Sequence, residues 1–269
     1  VTGVQTCALP IYDEEDSEVW TYSVSSDVVH VAMSKDGKYF AFVTNGGSSS
    51  TDYRLFVYRT NATEGGVNPV KLWEFDEDTC ITDLAISADG GTVAIASSCS
   101  DWARAFSTDS STAIWQVLLD NPFKVDISAD GQSIVVGTGN SENSKVYLYH
   151  VGSTTPLWEY DDVSNSIRTV AISANGEFIA VGDSCCTQPY HRAYVFHRSS
   201  NVPIADPINM DSYSSDFEFS DDGKYLLTSS HQNVYYYSVS ESEIVSLWNV
   251  DIDDTCCTPD YYEIDVSAD

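Results

Sequence analysis

Residues 123–137 read Phe-Lys-Val-Asp-Ile-Ser-Ala-Asp-Gly-Gln-Ser-Ile-Val-Val-Gly. Apolar and polar residues alternate up to Ser128, which marks a strand with one buried face. Asp130-Gly131 marks a reversal, and the apolar run after it marks a second strand covered on both sides. An Asp-Gly pair here predicts positive φ at both central residues, the type I′ geometry of a two-residue hairpin. The same Ser-x-Asp/Asn-Gly sequence occurs at Ser34–Gly37, Ser87–Gly90, Ser128–Gly131, Ser173–Gly176 and Ser220–Gly223, and a sixth copy begins at Ser267. The anchor serines are 53, 41, 45, 47 and 47 residues apart. Such a period fits one propeller blade or one long solenoid repeat.

Two further strands follow in each repeat. The third is aromatic, as in Arg54–Tyr58, Lys145–Tyr149, Arg192–Phe196 and Asn233–Tyr237, with a weaker version at Trp102–Phe106. The fourth carries a tryptophan, in Leu72–Asp76, Ile114–Val117, Leu157–Asp161 and Leu247–Asp251. In the fourth repeat Pro203–Met210 replaces it, and Pro203 and Pro207 confine that segment to an outer edge. The chain therefore reads as all-β: a β-propeller of four-stranded antiparallel blades, with five complete blades plus a partial sixth. Val19–Val24 reads as a fourth strand with no blade before it, and Tyr262–Ser267 as a first strand with none behind it. Both are expected to belong to one blade, which would remove an open sheet edge.

The Ala-Ile-Ser-Ala-Asp-Gly hairpin at 85–90, the Val-Tyr-Leu-Tyr strand at 146–149 and the tryptophan-bearing fourth strands resemble the WD40-like and quinoprotein-like propeller repeats of many surface proteins of archaea and bacteria. The resemblance covers residues 18–269. It implies a frame that hosts binding, scaffolding or chemistry. For the quinoprotein-like branch it also implies a disulfide between adjacent cysteines set against a quinone, and the pairs Cys185-Cys186 and Cys256-Cys257 keep that reading open.

Composition narrows the choice. Twelve basic residues face 41 acidic ones, for a formal net charge of −29, which opposes nucleic acid and anionic membrane surfaces. With 42% hydrophobic and 12% aromatic residues, the chain can bury a large core. No run of 18 apolar residues is present to span a bilayer. Residues 1–11 share nothing with the repeats and resemble a translated sequencing adapter, so the propeller domain is placed at 12–269.

Counted back from each anchor serine, charged side chains fall opposite the apolar face. Asp83, Asp126, Asp216, Glu218, Glu263 and Asp265 are the expected carboxylates of a central channel, with His30 and Lys124 among them. Such a channel suits a hard cation, a basic ligand or ordered water. Asp251, Asp253 and Asp254 form the best local Ca²⁺ candidate, and no other cofactor is expected. Apart from Cys7, the cysteines fall in loops joining strand four to strand one (Cys80, Cys256, Cys257) or strand two to strand three (Cys99, Cys185, Cys186). Alternation of chain direction puts both loop types on one face. Cys80 and Cys99 flank one blade and are the expected disulfide, which implies an oxidising compartment. Asn61-Ala62-Thr63 is a glycosylation sequon consistent with export.

For catalysis no Gly-x-Ser-x-Gly is present, and the anchor serines recur as structure. The leading expectation is a non-enzymatic binding or scaffold module of an exported or cell-surface protein, with a protein or glycan partner on its loop face. The alternatives are part of a quinone-dependent dehydrogenase and an intracellular scaffold of a salt-adapted cell.

Overall fold

The computed structural model describes residues 11–12, 18–20, 24, 26–46, 52–63, 66–67, 69–77, 79–139, 143–163, 165–184, 191–210, 214–230 and 233–251. These contain five four-stranded antiparallel sheets, in each of which the strands pair in chain order. Blade one comprises Val28–Met33, Tyr39–Thr44, Tyr53–Arg59 and Val70–Glu77. Blade two comprises Asp83–Ile86, Thr92–Ser97, Trp102–Ser107 and Ala113–Leu118. Pro122–Ile127, Ser133–Thr138, Val146–His150 and Trp158–Tyr160 form blade three, and Ser166–Ile172, Phe178–Ser184, Arg192–His197 and Ile208–Asn209 form blade four. Blade five comprises Ser214–Phe219, Tyr225–Ser230, Asn233–Val239 and Ile244–Asp251. No helix occurs among the described residues. A short pair, Ile11–Tyr12 with Glu18–Trp20, precedes blade one.

The innermost strands lie side by side in chain order. Lys35 in the first anchor turn forms an ion pair with Asp221 in the fifth, 186 residues away. A linear solenoid would hold those turns four modules apart, so their meeting makes the arrangement radial.

The anchor turns differ from the expected type I′ hairpin. Positive φ is confined to the glycines, at 66–70°. Gly131 N–H donates to the Ser128 carbonyl (2.9 Å), as in a type I turn followed by a left-handed glycine. Side-chain bonding is the reason. Ser128 Oγ donates to Asp130 Oδ1 (2.7 Å) and accepts from Ser133 N–H (3.0 Å), while Asp130 Oδ1 also accepts from Gln132 N–H (3.0 Å). These bonds hold the aspartate out of the left-handed region. The same three bonds recur at Ser34, Ser87, Ser173 and Ser220. Only a hydroxyl donates and accepts at once in so small a volume.

The turn glycine has a second task. A Cβ on Gly131 would approach Thr92 Oγ1 to 2.7 Å, and on Gly176 it would lie 3.3 Å from Ser133 Oγ and 3.4 Å from Ser128 Cβ, both of the preceding blade. Each turn therefore nests on the anchor serine before it. Backbone bonds link the same turns, Asp89 N–H to the Ala129 carbonyl (3.2 Å) and Ala129 N–H to the Ala174 carbonyl (3.0 Å).

Between the sheets lie four apolar cores, one for each adjoining pair of blades. Small residues of blade two, Ala94, Ala96, Ala103 and Ala105, receive Val125, Ile127, Ile134 and Tyr149 of blade three. The repeated tryptophans span these joints. Trp73, Trp115 and Trp158 donate Nε1–H to the carbonyls of Thr108, Ser153 and Arg198 in the following blade, at 2.8, 2.8 and 2.9 Å. In blade four the proline-bearing segment leaves an outer strand of two residues, and Met210 fills the joint to blade five.

Replacing Gly131 by Ala combines a left-handed backbone with a crowded Cβ, and should lower unfolding free energy by about 2 kcal/mol or more. Urea denaturation of the variant checks this value.

Candidate functional site

The alternation that buries Val125 and Ile127 turns Asp126 to the other side of the innermost strand. Asp83, Asp126, Asp216 and Glu218 all occupy such positions, whereas Glu263 and Asp265 lie outside the described residues. Two of these carboxylates tie neighbouring inner strands together. Asp83 Oδ2 accepts from Val125 N–H (3.0 Å), and Asp126 Oδ2 accepts from Ile172 N–H (2.8 Å) while its Oδ1 accepts from Ile127 N–H (2.7 Å). Asp83 also faces Lys124 Nζ at 3.5 Å.

Electrostatics show that these groups converge. Burial pushes the Asp126 carboxyl up to about 7, and the negative charges of Asp83 and Asp216 push the same way against its two backbone hydrogen bonds. Burial also holds His30 below the usual imidazole value, with Lys124 adding to the effect and Asp83 opposing it. On the anchor-turn side the channel opens into a cavity of about 520 Å³. Lys35, Asp126, Glu218 and Asp221 line it, among apolar walls that include Ile127 and Phe219.

Among the described residues no three His, Cys, Asp or Glu side chains are grouped to hold a metal. Asp251 is exposed at the end of its strand, and Asp253 and Asp254 lie outside the described residues. The mouth cavity does not fit a quinone cofactor bearing several carboxylates, because its one cation among the described residues, Lys35, is paired with Asp221 beside two further acids.

The opposite face carries the loops. Cys80, entering blade two, and Cys99, after its second strand, are joined by a disulfide with Cα atoms 5.6 Å apart. Both loop types thus share one rim, as the alternation of strands requires. Cys185, Cys186, Cys256 and Cys257 lie outside the described residues. Close by, the largely buried Arg104 pairs with Glu77 of blade one, its guanidinium 5.6 Å from the Phe75 ring and 5.1 Å from that of Trp102. Asp101 and Asn121 adopt positive φ of 61° and 55°. Asp101 Oδ1 accepts from Asn121 N–H (3.0 Å), and the Asn121 carbonyl accepts from Gly139 N–H (2.9 Å). Loops of blades two and three are thereby tied. Asp76, Asp120, Asp161, Asp162 and Asp251, at the exits of outer strands, are exposed on this side.

One set of residues escaped the sequence reading. Ten residues after each anchor serine stand Thr44, Ser97, Thr138, Asp183 and Ser230, all buried. Thr138 Oγ1 accepts from Lys145 N–H (2.8 Å), Ser230 Oγ from Asn233 N–H (3.1 Å), and Asp183 from Arg192 N–H (2.7 Å). Tyr194 OH also reaches Asp183 (3.3 Å), whose carboxyl burial pushes up. Each of these three bonds fixes the return of the chain into the third strand. The signal available was a polar residue at constant offset in an otherwise apolar strand.

Radial four-stranded sheets around a channel define a β-propeller. No family model and no curated protein matches the sequence. Among solved structures, a chain in the crystal structure of the mitotic checkpoint complex superposes with a TM-score of 0.70 at 13% identity, covering 92% of this chain and 72% of that one. Kuenenia stuttgartiensis hydrazine synthase superposes with a TM-score of 0.62 at 17% identity, covering 84% of this chain and 66% of that one. At these identities the likeness is one of fold.

The Cys80–Cys99 bridge closes a loop of 19 residues. Removing it by a paired Cys-to-Ser exchange should cost about 3 kcal/mol in non-reducing urea melts. Asp126 binds its proton more tightly folded than unfolded, so stability should fall by a few kcal/mol as pH rises from about 4 to 7 and then level off. Asp126→Asn should make that slope markedly shallower, leaving the part due to the raised Asp183 carboxyl, as measured by melts across the same pH range.

Proposed function

We propose that this chain is a non-enzymatic β-propeller module that binds a basic protein partner on its loop face. The observation that carries the reading is the construction of that face. A disulfide, the Glu77–Arg104 pair and the buried Thr138, Asp183 and Ser230 hold the loops, while exposed aspartates stand at the outer-strand exits. Rigid presentation lowers the ordering cost of binding, and a field of one sign steers oppositely charged partners. The solved likeness to a chain of the mitotic checkpoint complex, a protein assembly, supports the same reading. A non-enzymatic role is favoured by the anchor serines, whose hydroxyls are committed to turns. The disulfide favours an oxidising setting, extracellular or at the cell surface.

Calorimetric titration of the full chain with an arginine- and lysine-rich protein should give an affinity that falls steeply with added salt. Asp161→Asn with Asp162→Asn should weaken it by roughly two- to threefold for each charge removed. Affinity unaffected by salt, as for a neutral glycan, or no binding at all, would overturn the proposal.

A further inference from the structure

The inner strands carry an irregularity at a fixed place. Five residues before the anchor serine the pairing with the second strand slips, which leaves Val29 in blade one, Phe123 in blade three, Arg168 in blade four and Ser215 in blade five unpaired in the ladder. These are the strand ends nearest the loop face, around the mouth of the channel. Strict alternation would send Arg168, with Val170 and Ile172, into the core between blades three and four. The bulge re-aims it, and its side chain is exposed. There its guanidinium lies over the Phe123 ring, 5.4 Å from the centroid. Gly139 packs on that ring so closely that a Cβ there would come within 3.0 Å of the Phe123 side chain, and the Gly139 carbonyl accepts from Ser166 Oγ of blade four (2.7 Å). Ring and cation are thus tied to each other across the joint of blades three and four.

Eight of the twelve Lys and Arg side chains form ion pairs among the described residues. Arg168 does not, in a chain with 41 acids; its contact among the described residues is the aromatic one. A guanidinium laid on a ring keeps its N–H edges outward, and that fork matches the two oxygens of a carboxylate. We propose that Arg168, seated on Phe123 at the loop-side mouth of the channel, receives a Glu or Asp side chain of the protein partner. The assignment rests on the loop face being the docking surface, and adds what that surface reads at its centre. Charge supports it. Exposed aspartates stand at the outer-strand exits, where they attract basic groups, whereas Arg168 lies on an inner strand, near the axis. Lys124, beside Phe123 in the chain, is balanced by Asp83 at 3.5 Å, while no carboxylate among the described residues balances Arg168. The ring also screens one face of the guanidinium from water, which favours its pairing inside a closed interface. An arginine backed by an aromatic ring, central and surrounded by a charged rim, is the kind of residue on which binding energy concentrates.

Calorimetric titration of the full chain with two synthetic peptides tests the assignment. Both carry the same lysines and arginines, and they differ only in a central Glu or Gln. On an acidic face alone, the extra negative charge of the Glu peptide weakens binding. With Arg168 as its receptor, the Glu peptide should instead bind about three- to fivefold more tightly than the Gln peptide. Arg168→Gln, at an exposed position, should reverse that order while the steep salt dependence of both peptides persists. Equal or weaker binding of the Glu peptide by the parent chain, or an unchanged preference in Arg168→Gln, overturns the assignment and leaves the loop-face reading standing. Failure of both peptides to bind overturns that reading, and the assignment with it.

Discussion

Every blade depends on a serine hydroxyl that donates to the turn's Asp or Asn and accepts from the first amide of the second strand. In blades one to four the serine is buried, so an unmet donor or acceptor there would cost a full desolvation penalty. The bond also sets the position of the glycine that follows. Because that glycine has no side chain, the turn settles on the serine of the blade before it. A local hydrogen bond thus governs the spacing of whole sheets.

The joints between sheets have a direction. Trp73, Trp115 and Trp158 reach from an outer strand into the following blade, and Asp83 and Asp126 reach from an inner strand the same way. Rim and channel are therefore fastened by separate groups with the apolar core between them. The passage from blade four to blade five departs from this plan. There the outer strand is broken by prolines, and Met210, with its adaptable shape, closes the core in place of an indole.

The period, the strand order and the Cys80–Cys99 pair were legible because each is written in neighbouring residues or in simple alternation of chain direction. The turn type was not. Asp-Gly alone favours one hairpin, and the bonds from Ser128 and Gln132 to Asp130 select another. Alternation likewise places Asp126 on the channel side of its strand without revealing that its partner is an amide 46 residues away in blade four. Glu77–Arg104 and Lys35–Asp221 join different blades and leave no periodic mark. The acids of the loop rim were legible as a charge excess, but the bracing of the loops around them came from tertiary contacts.

The direction of the tryptophan and aspartate contacts bears on how such chains change in size. Donor and acceptor lie one repeat apart, so recombination between two equivalent codons removes or duplicates a stretch whose two ends still match. Within blades one to three such a product inherits complementary seams, whereas the Met210 joint and the Lys35–Asp221 pair belong to one place each and tie the array to its present order.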